Sequence, residues 1–205
     1  MAHAPTAVHA EPLETTTGLN HRKLLMWVFL GSDCMFFGSL IATYLLYRGK
    51  SLVGPYPHEV FNIPYTSISA FVLLMSSLTM VLALSAIHRG DMRGLKVWLL
   101  ATALLGTVFL GGQFFEFTTF VHEGLTLKTN LFGTTFFVLT GFHGAHVTVG
   151  VIILLSFFVL AARGRLKPEH HLNIELAGLY WHFVDVVWIV IFTVIYLTEA
   201  PNIVT

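Results

Sequence analysis

Residues 131–162 read LFGTTFFVLTGFHGAHVTVGVIILLSFFVLAA, and no Asp, Glu, Lys or Arg interrupts them. A helix rises about 1.5 Å per residue, so crossing a hydrocarbon core of about 30 Å takes roughly 20 residues. The run exceeds that need, which implies tilt or extension beyond the bilayer. In lipid its backbone groups have no water to bond, so a single apolar run of this length must be a helix. Four more runs of comparable size lie to either side, at 24–47, 66–88, 95–120 and 174–198. The expected fold is therefore an all-α integral membrane protein, a bundle of five transmembrane helices within 21–205. A polar, flexible tail is expected over 1–20.

The linkers carry the usual punctuation. Gly54, Pro55, Pro57 and Pro64 follow the first run, Gly90 and Gly94 the second, and Gly164 and Pro168 the fourth. The short second linker requires helices two and three to form a tight hairpin. No internal repeat is visible, which argues against an inverted-repeat transporter. Residues 1–20 have neither a basic start nor an apolar stretch and do not read as a cleaved secretory signal.

Composition agrees. Of the 205 residues 55 % are hydrophobic and 11 % charged, with a mean hydropathy of +0.75, too apolar for a water-soluble chain. Lys plus Arg total 11 and Asp plus Glu total 11, leaving no net charge to attract nucleic acid. The single cysteine, Cys34, excludes an internal disulfide, a CxxC metal site and a CxxCH haem attachment.

Basic residues accumulate in cytoplasmic loops. A cytoplasmic N-terminus places Arg22, Lys23, Arg89, Arg93, Lys96, Arg163, Arg165 and Lys167 inside, and only Arg48, Lys50 and Lys128 outside. The C-terminus is then external, or periplasmic. Trp27 and Trp98, near inner helix ends, fit an interfacial aromatic belt. The 18 Phe residues read as packing.

Ionisable groups cost a few kcal/mol at membrane depth and so need a reason. Asp33 lies near the middle of helix one, Glu116 in the outer half of helix three, His143 and His146 in helix four, and His182 and Asp185 in helix five. Asp33 sits among apolar neighbours in GSDCMFF, residues 31–37. It either handles protons or anchors a polar lipid group, or it is a neutral acid bonded to a neighbouring helix. The other pairs are each three residues apart and project from one helical face. Two such faces meeting could hold a metal, but the carboxylate-rich ligand pattern of bundle metal sites is absent. A hydrogen-bonded interhelical network, with His182 donating to Asp185, is the better reading. Gly141, Gly144 and Ala145 would let another helix approach helix four closely. His170, His171 and Glu175 at the start of helix five form either a cytoplasmic metal site or proton-collecting patch or, the commoner case, solvated polar residues at a helix end.

Two long motifs carry a family resemblance. TTFFVLTGFHGAHVTV, residues 134–149, and YWHFVDVVWIVIFTVIY, residues 180–196, resemble subunit III of haem–copper cytochrome c and quinol oxidases. GSDCMFFGSLIATY at 31–44 and QFFEF at 113–117 match that family in the same order, so the resemblance covers essentially all the chain after residue 20. It implies the bacterial five-helix form of a subunit that carries no haem, copper or other cofactor and packs beside subunits I and II, which hold the redox centres. The implied role is to support proton uptake and durability of the catalytic subunit during aerobic electron transport in a bacterial plasma membrane. Membrane phospholipids and a larger respiratory supercomplex are the other implied partners. Asp33 falls where the family has an acidic residue near lipid and the proton-entry side, and Glu116, His143, His146, His182 and Asp185 match family positions with an implied interhelical role. The residues agree with a subunit free of redox centres. Two haems and a copper need many intramembrane histidines, and a dinuclear copper site needs two cysteines. Three rivals remain: an accessory subunit of a nitric oxide reductase, a free-standing proton or solute transporter using Asp33 and Glu116, and a di-metal membrane enzyme on His143, His146, His182 and Asp185.

Overall fold

The computed structural model describes residues 20–51, 54–55 and 61–198. Five helices among them are long and apolar enough to cross a membrane. They are α1 (His21–Tyr47), α2 (Ile63–His88), α3 (Met92–His122), α4 (Leu131–Ala162) and α5 (His171–Ile191), the last entered through a 3-10 turn, Pro168–His170, and continued by a π-helical segment, Phe192–Leu197. Apart from Asn20, the expected polar tail lies outside the described residues.

Helix starts follow capping chemistry. The side chains of Asn20, Asn62, Asp91 and Asn130 accept from backbone N–H groups of the first turns of α1, α2, α3 and α4. For this reason α1, α2 and α3 begin upstream of their apolar runs, at His21, Ile63 and Met92, where polar caps remain in contact with water. The α2–α3 hairpin turns on Gly90, whose φ of 73° disfavours a side chain. Around it Gly90 N donates to Ile87 O and Asp91 N to Ala86 O, both orphan carbonyls of the ending helix. At 32 residues α4 is roughly 48 Å long, well beyond the hydrocarbon thickness.

The helices α2, α3, α4 and α5 pack in a closed ring, each against the next and α5 back onto α2, while α1 lies outside against α4 and α5. Burial follows that arrangement. On α1 the buried residues are Leu30, Phe37 and Tyr44, one narrow stripe with a seven-residue spacing. On α5 burial runs around the helix, through Ile174, Ala177, Gly178, Trp181, Val184, Asp185, Val187 and Trp188.

Trp181 occupies the ring centre. It is 1 % exposed, and its indole N–H donates to Ser76 Oγ of α2 at 2.9 Å. Its ring fills the space left by Gly106 of α3 and Gly150 of α4, where an added Cβ would meet it at 2.5 Å and 2.8 Å. Towards the 61–62 end the core becomes aromatic, with Phe61, Phe120, Phe132 and Tyr196 grouped round Phe136. A methyl group at Gly106 or Gly150 must displace a rigid ring held on three sides. We expect Gly106→Ala and Gly150→Ala each to cost about 1–3 kcal/mol, seen as a lower midpoint of thermal unfolding in mild detergent. Gly141→Ala, which adds its methyl to open space, should leave the midpoint unchanged or raised.

Candidate functional site

The intramembrane polar residues named from the sequence fall into separate places. Positions three apart on a helix point roughly 60° from each other, enough to face different neighbours in a crowded bundle. His146 turns to α1, where its Nε2 lies 3.7 Å from Asp33 Oδ2. His143 turns to α5, its Nε2–H donating to the carbonyl of Val184 at 3.2 Å. The ring of His143 stacks on Trp188 at 4.9 Å, and Phe109 of α3 packs edge-on against both. His182 reaches α2, with Nδ1 2.9 Å from Ser77 Oγ, and Ser77 also lies beside Asp185. The serine of α2 therefore stands between the two groups that the sequence reading had bonded directly. Glu116 is further along, 6 % exposed, with Thr66 Oγ1 of α2 2.6 Å from its Oε1 and Tyr196 of α5 alongside. Among the described residues no three His, Cys, Asp or Glu side chains converge as a metal site.

These contacts join helices. An unpaired polar group buried in lipid or protein costs about 1–3 kcal/mol, so each pair that forms also fixes which helix faces which. Gln113 of α3 is another such joint: its Nε2 donates to the Thr140 carbonyl at 2.9 Å, and its side chain fills the space over Gly144 of α4. The approach expected at the small residues of helix four thus occurs at Gly144 by a side chain, while Gly141 faces open space.

His146 Nδ1 is 2.7 Å from the Phe142 carbonyl, and a carbonyl has no hydrogen to give, so Nδ1 donates. Asp33 Oδ2 is buried and has no hydrogen-bond partner among the described residues, and at 3.7 Å the Nε2 of His146 lies beyond direct hydrogen-bond reach. The pair is a polar contact that sets a carboxyl of α1 against an imidazole of α4. Beside it a cavity of about 650 Å³ opens between α1, α4 and α5, lined by Met26, Phe29, His146, Phe157, Asn173 and Tyr180 among others. Its walls are mostly apolar, with polar groups at His146, Asn173 and the Tyr180 hydroxyl, which donates to the His146 carbonyl. At the mouth towards the N-terminal end of α1, Arg22 reaches Asn173 and Lys23 pairs with Glu175. Glu175, read from the sequence as solvated, is thus tied to α1.

Sequence reading missed Ser76, Ser77, Thr66 and Gln113 as joints. Three are hydroxyls of α2, which carries several others beside them (Ser67 next to Thr66, Ser69, Thr79 and Ser85), so none stands out in the sequence. Nothing in the sequence said which partner each would take.

The geometry defines a class: a multi-pass helical membrane protein whose ring of helices is locked by small polar joints around a central tryptophan. The family model for cytochrome c oxidase subunit III matches residues 13–199. Quinol oxidase subunit 3 of Bacillus subtilis (strain 168) is 37 % identical over 198 residues, covering 96 % of this chain and 97 % of its own. Cytochrome c oxidase subunit 3 of Bacillus sp. (strain PS3) is 39 % identical over 92 % of this chain and 91 % of its own. Cytochrome c oxidase subunit 3 of Thermostichus vulcanus is 39 % identical over 86 % and 87 %. The chain belongs to the cytochrome c oxidase subunit III family. It is a non-catalytic subunit of a haem–copper oxidase.

A double-substitution cycle tests the Asp33–His146 contact. Asp33→Leu and His146→Leu should each lower the unfolding midpoint by the equivalent of about 1–3 kcal/mol, because each leaves a buried partner bare. The double variant should cost less than the sum, giving a favourable coupling of at least about 0.5 kcal/mol. Additive losses would show that the two groups do not interact.

Proposed function

We propose that this chain stands beside the catalytic subunit of a bacterial oxygen-reducing oxidase and sustains its proton uptake, while the haems and copper reside in subunits I and II. The observation that carries this reading is the family match across nearly the whole chain. Relatives named for both quinol and cytochrome c oxidases resemble it about equally, so the electron donor is an outcome of the experiment below. The N-terminus lies in the cytoplasm and the C-terminus outside, in the plasma membrane, with the distribution of basic residues as support. This puts the Arg22, Lys23 and Glu175 end inside.

Asp33 and Glu116 are the proton- or lipid-associated groups, and His143, His146, His182 and Asp185 tie the helices that hold them. The cavity beside His146 takes a phospholipid chain: its walls are mostly apolar, and Asn173, which lines it, bonds Arg22, a basic group to meet an anionic headgroup. In this reading Asp33 acts next to bound lipid, with the imidazole of His146 on α4 beside it. Association with a larger respiratory supercomplex is part of the proposal.

The test is to purify the chain through a tag in mild detergent, record a reduced-minus-oxidised spectrum and identify co-purifying proteins by mass spectrometry. Haem bands with a histidine-rich partner are expected, and the haem type and remaining partners identify the donor. A nitric oxide reductase partner would replace the oxygen-reducing reading. A colourless, solitary, folded chain would support the transporter or metal-enzyme alternatives, then separated by flux in liposomes and metal content. In the intact complex Asp33→Asn should lower proton uptake or bound phospholipid during turnover. Unchanged turnover, uptake and lipid content would remove the functional claim for Asp33.

A further inference from the structure

Glu116 lies on the last turns of α3 at the floor of a second cavity, of about 410 Å³, at the end of the bundle that bears residues 61–62 and 123–130. This is the outer end in the orientation proposed above, opposite to the mouth of the Asp33 cavity. The lining includes Asn62, Tyr65, Phe115, Glu116, Thr119 and Glu123. Glu123 is exposed and lies seven residues beyond Glu116, on nearly the same helical face two turns nearer to water.

Thr66 Oγ1 donates to Glu116 Oε1 at 2.6 Å, and the Tyr196 hydroxyl is a second donor to the same carboxyl. A charged carboxylate is costly at membrane depth, and these two hydroxyls hold the carboxyl in place at the cavity whether or not it carries its proton. Among the described residues the titratable groups facing Glu116 are Tyr65 from α2, Tyr196 from the π-helical segment after α5 and Glu123 just past α3. Here α4 presents Phe136 and Phe137 to Phe117 of α3, and among the described residues no Lys or Arg lines the cavity.

We infer that Glu116 is a proton-exchange site filled through this cavity from the aqueous phase at the outer end, with Glu123 as the exposed carboxylate that collects protons at its mouth. The inference rests on reading Glu116 as proton-associated and adds the side and route of exchange. It gives the subunit two separately addressed carboxyls: Asp33 beside the apolar cavity that opens towards the inner end, and Glu116 open to the outer end.

Infrared spectra of the purified complex, transferred from H2O to D2O, provide the test. The wild-type spectrum minus that of Glu116→Gln should isolate one carboxylic-acid carbonyl stretch that shifts promptly in D2O. Filling the cavity with Thr119→Trp, or with the milder Thr119→Leu, should keep that band and slow its shift several-fold. Glu123→Gln should slow it less. Absence of an acid band assignable to Glu116 would overturn both the inference and the proton-associated reading beneath it. A band whose exchange ignores both Thr119 variants would overturn only the outer route.

Discussion

The indole of Trp181 determines how closely the four ring helices can approach. It comes from α5, takes the space over Gly106 of α3 and Gly150 of α4, and bonds Ser76 of α2. In lipid, apolar surface gains little by leaving one hydrocarbon environment for another, so helix association relies on close packing and a few polar contacts. One large planar side chain set against two glycines and a serine provides both. The hydroxyl of Ser76 points back to the Leu73 carbonyl, which leaves its lone pairs for the indole N–H. The other joints are organised around that centre, with Ser77 of α2 meeting His182 one position further along α5.

From that centre the polar contacts divide between the two ends of the bundle and its middle. His143 and Gln113 hold α4 to α5 and to α3 in the middle, and α1 meets the ring through the Asp33–His146 pair, through Arg22 and Lys23 at Asn173 and Glu175, and through a narrow stripe of buried side chains. The pair sets a carboxyl of this peripheral helix against an imidazole of α4, beside a mostly apolar cavity.

At the other end Glu116 is set among Thr66, Tyr196 and an aromatic floor, where α5 widens into its π-helical segment. Widened turns of this kind leave the usual hydrogen-bond ladder locally altered and occur often at functional positions. Tyr196 lies within that segment and Phe136 packs against it, so the carboxyl and the irregular turn are parts of one packed unit.

Much of this was legible in the sequence because the lipid solvent leaves a chain few choices. Long runs free of charge must be helices, Asn, Asp, Gly and Pro mark their ends, and the motifs around His143 and His182 carry the family. The same reading singled out Asp33, Glu116, His143, His146, His182 and Asp185, since a charged or imidazole side chain in an apolar run is an energetic anomaly visible in one dimension. Periodicity could not pair them, because residues three apart share a face only loosely, and a bundle decides which neighbour each one meets. His143 and His146 part to α5 and α1, and Ser77 comes between His182 and Asp185. The role of Gly106 and Gly150 as a seat for Trp181 depends on three helices converging at one depth. The sequence by itself thus determined the five helical elements, with their ends to within a few residues. Only the tertiary structure decided the partners, because they are set by helix rotation and closeness of approach, which depend on all the side chains packed between the helices at once.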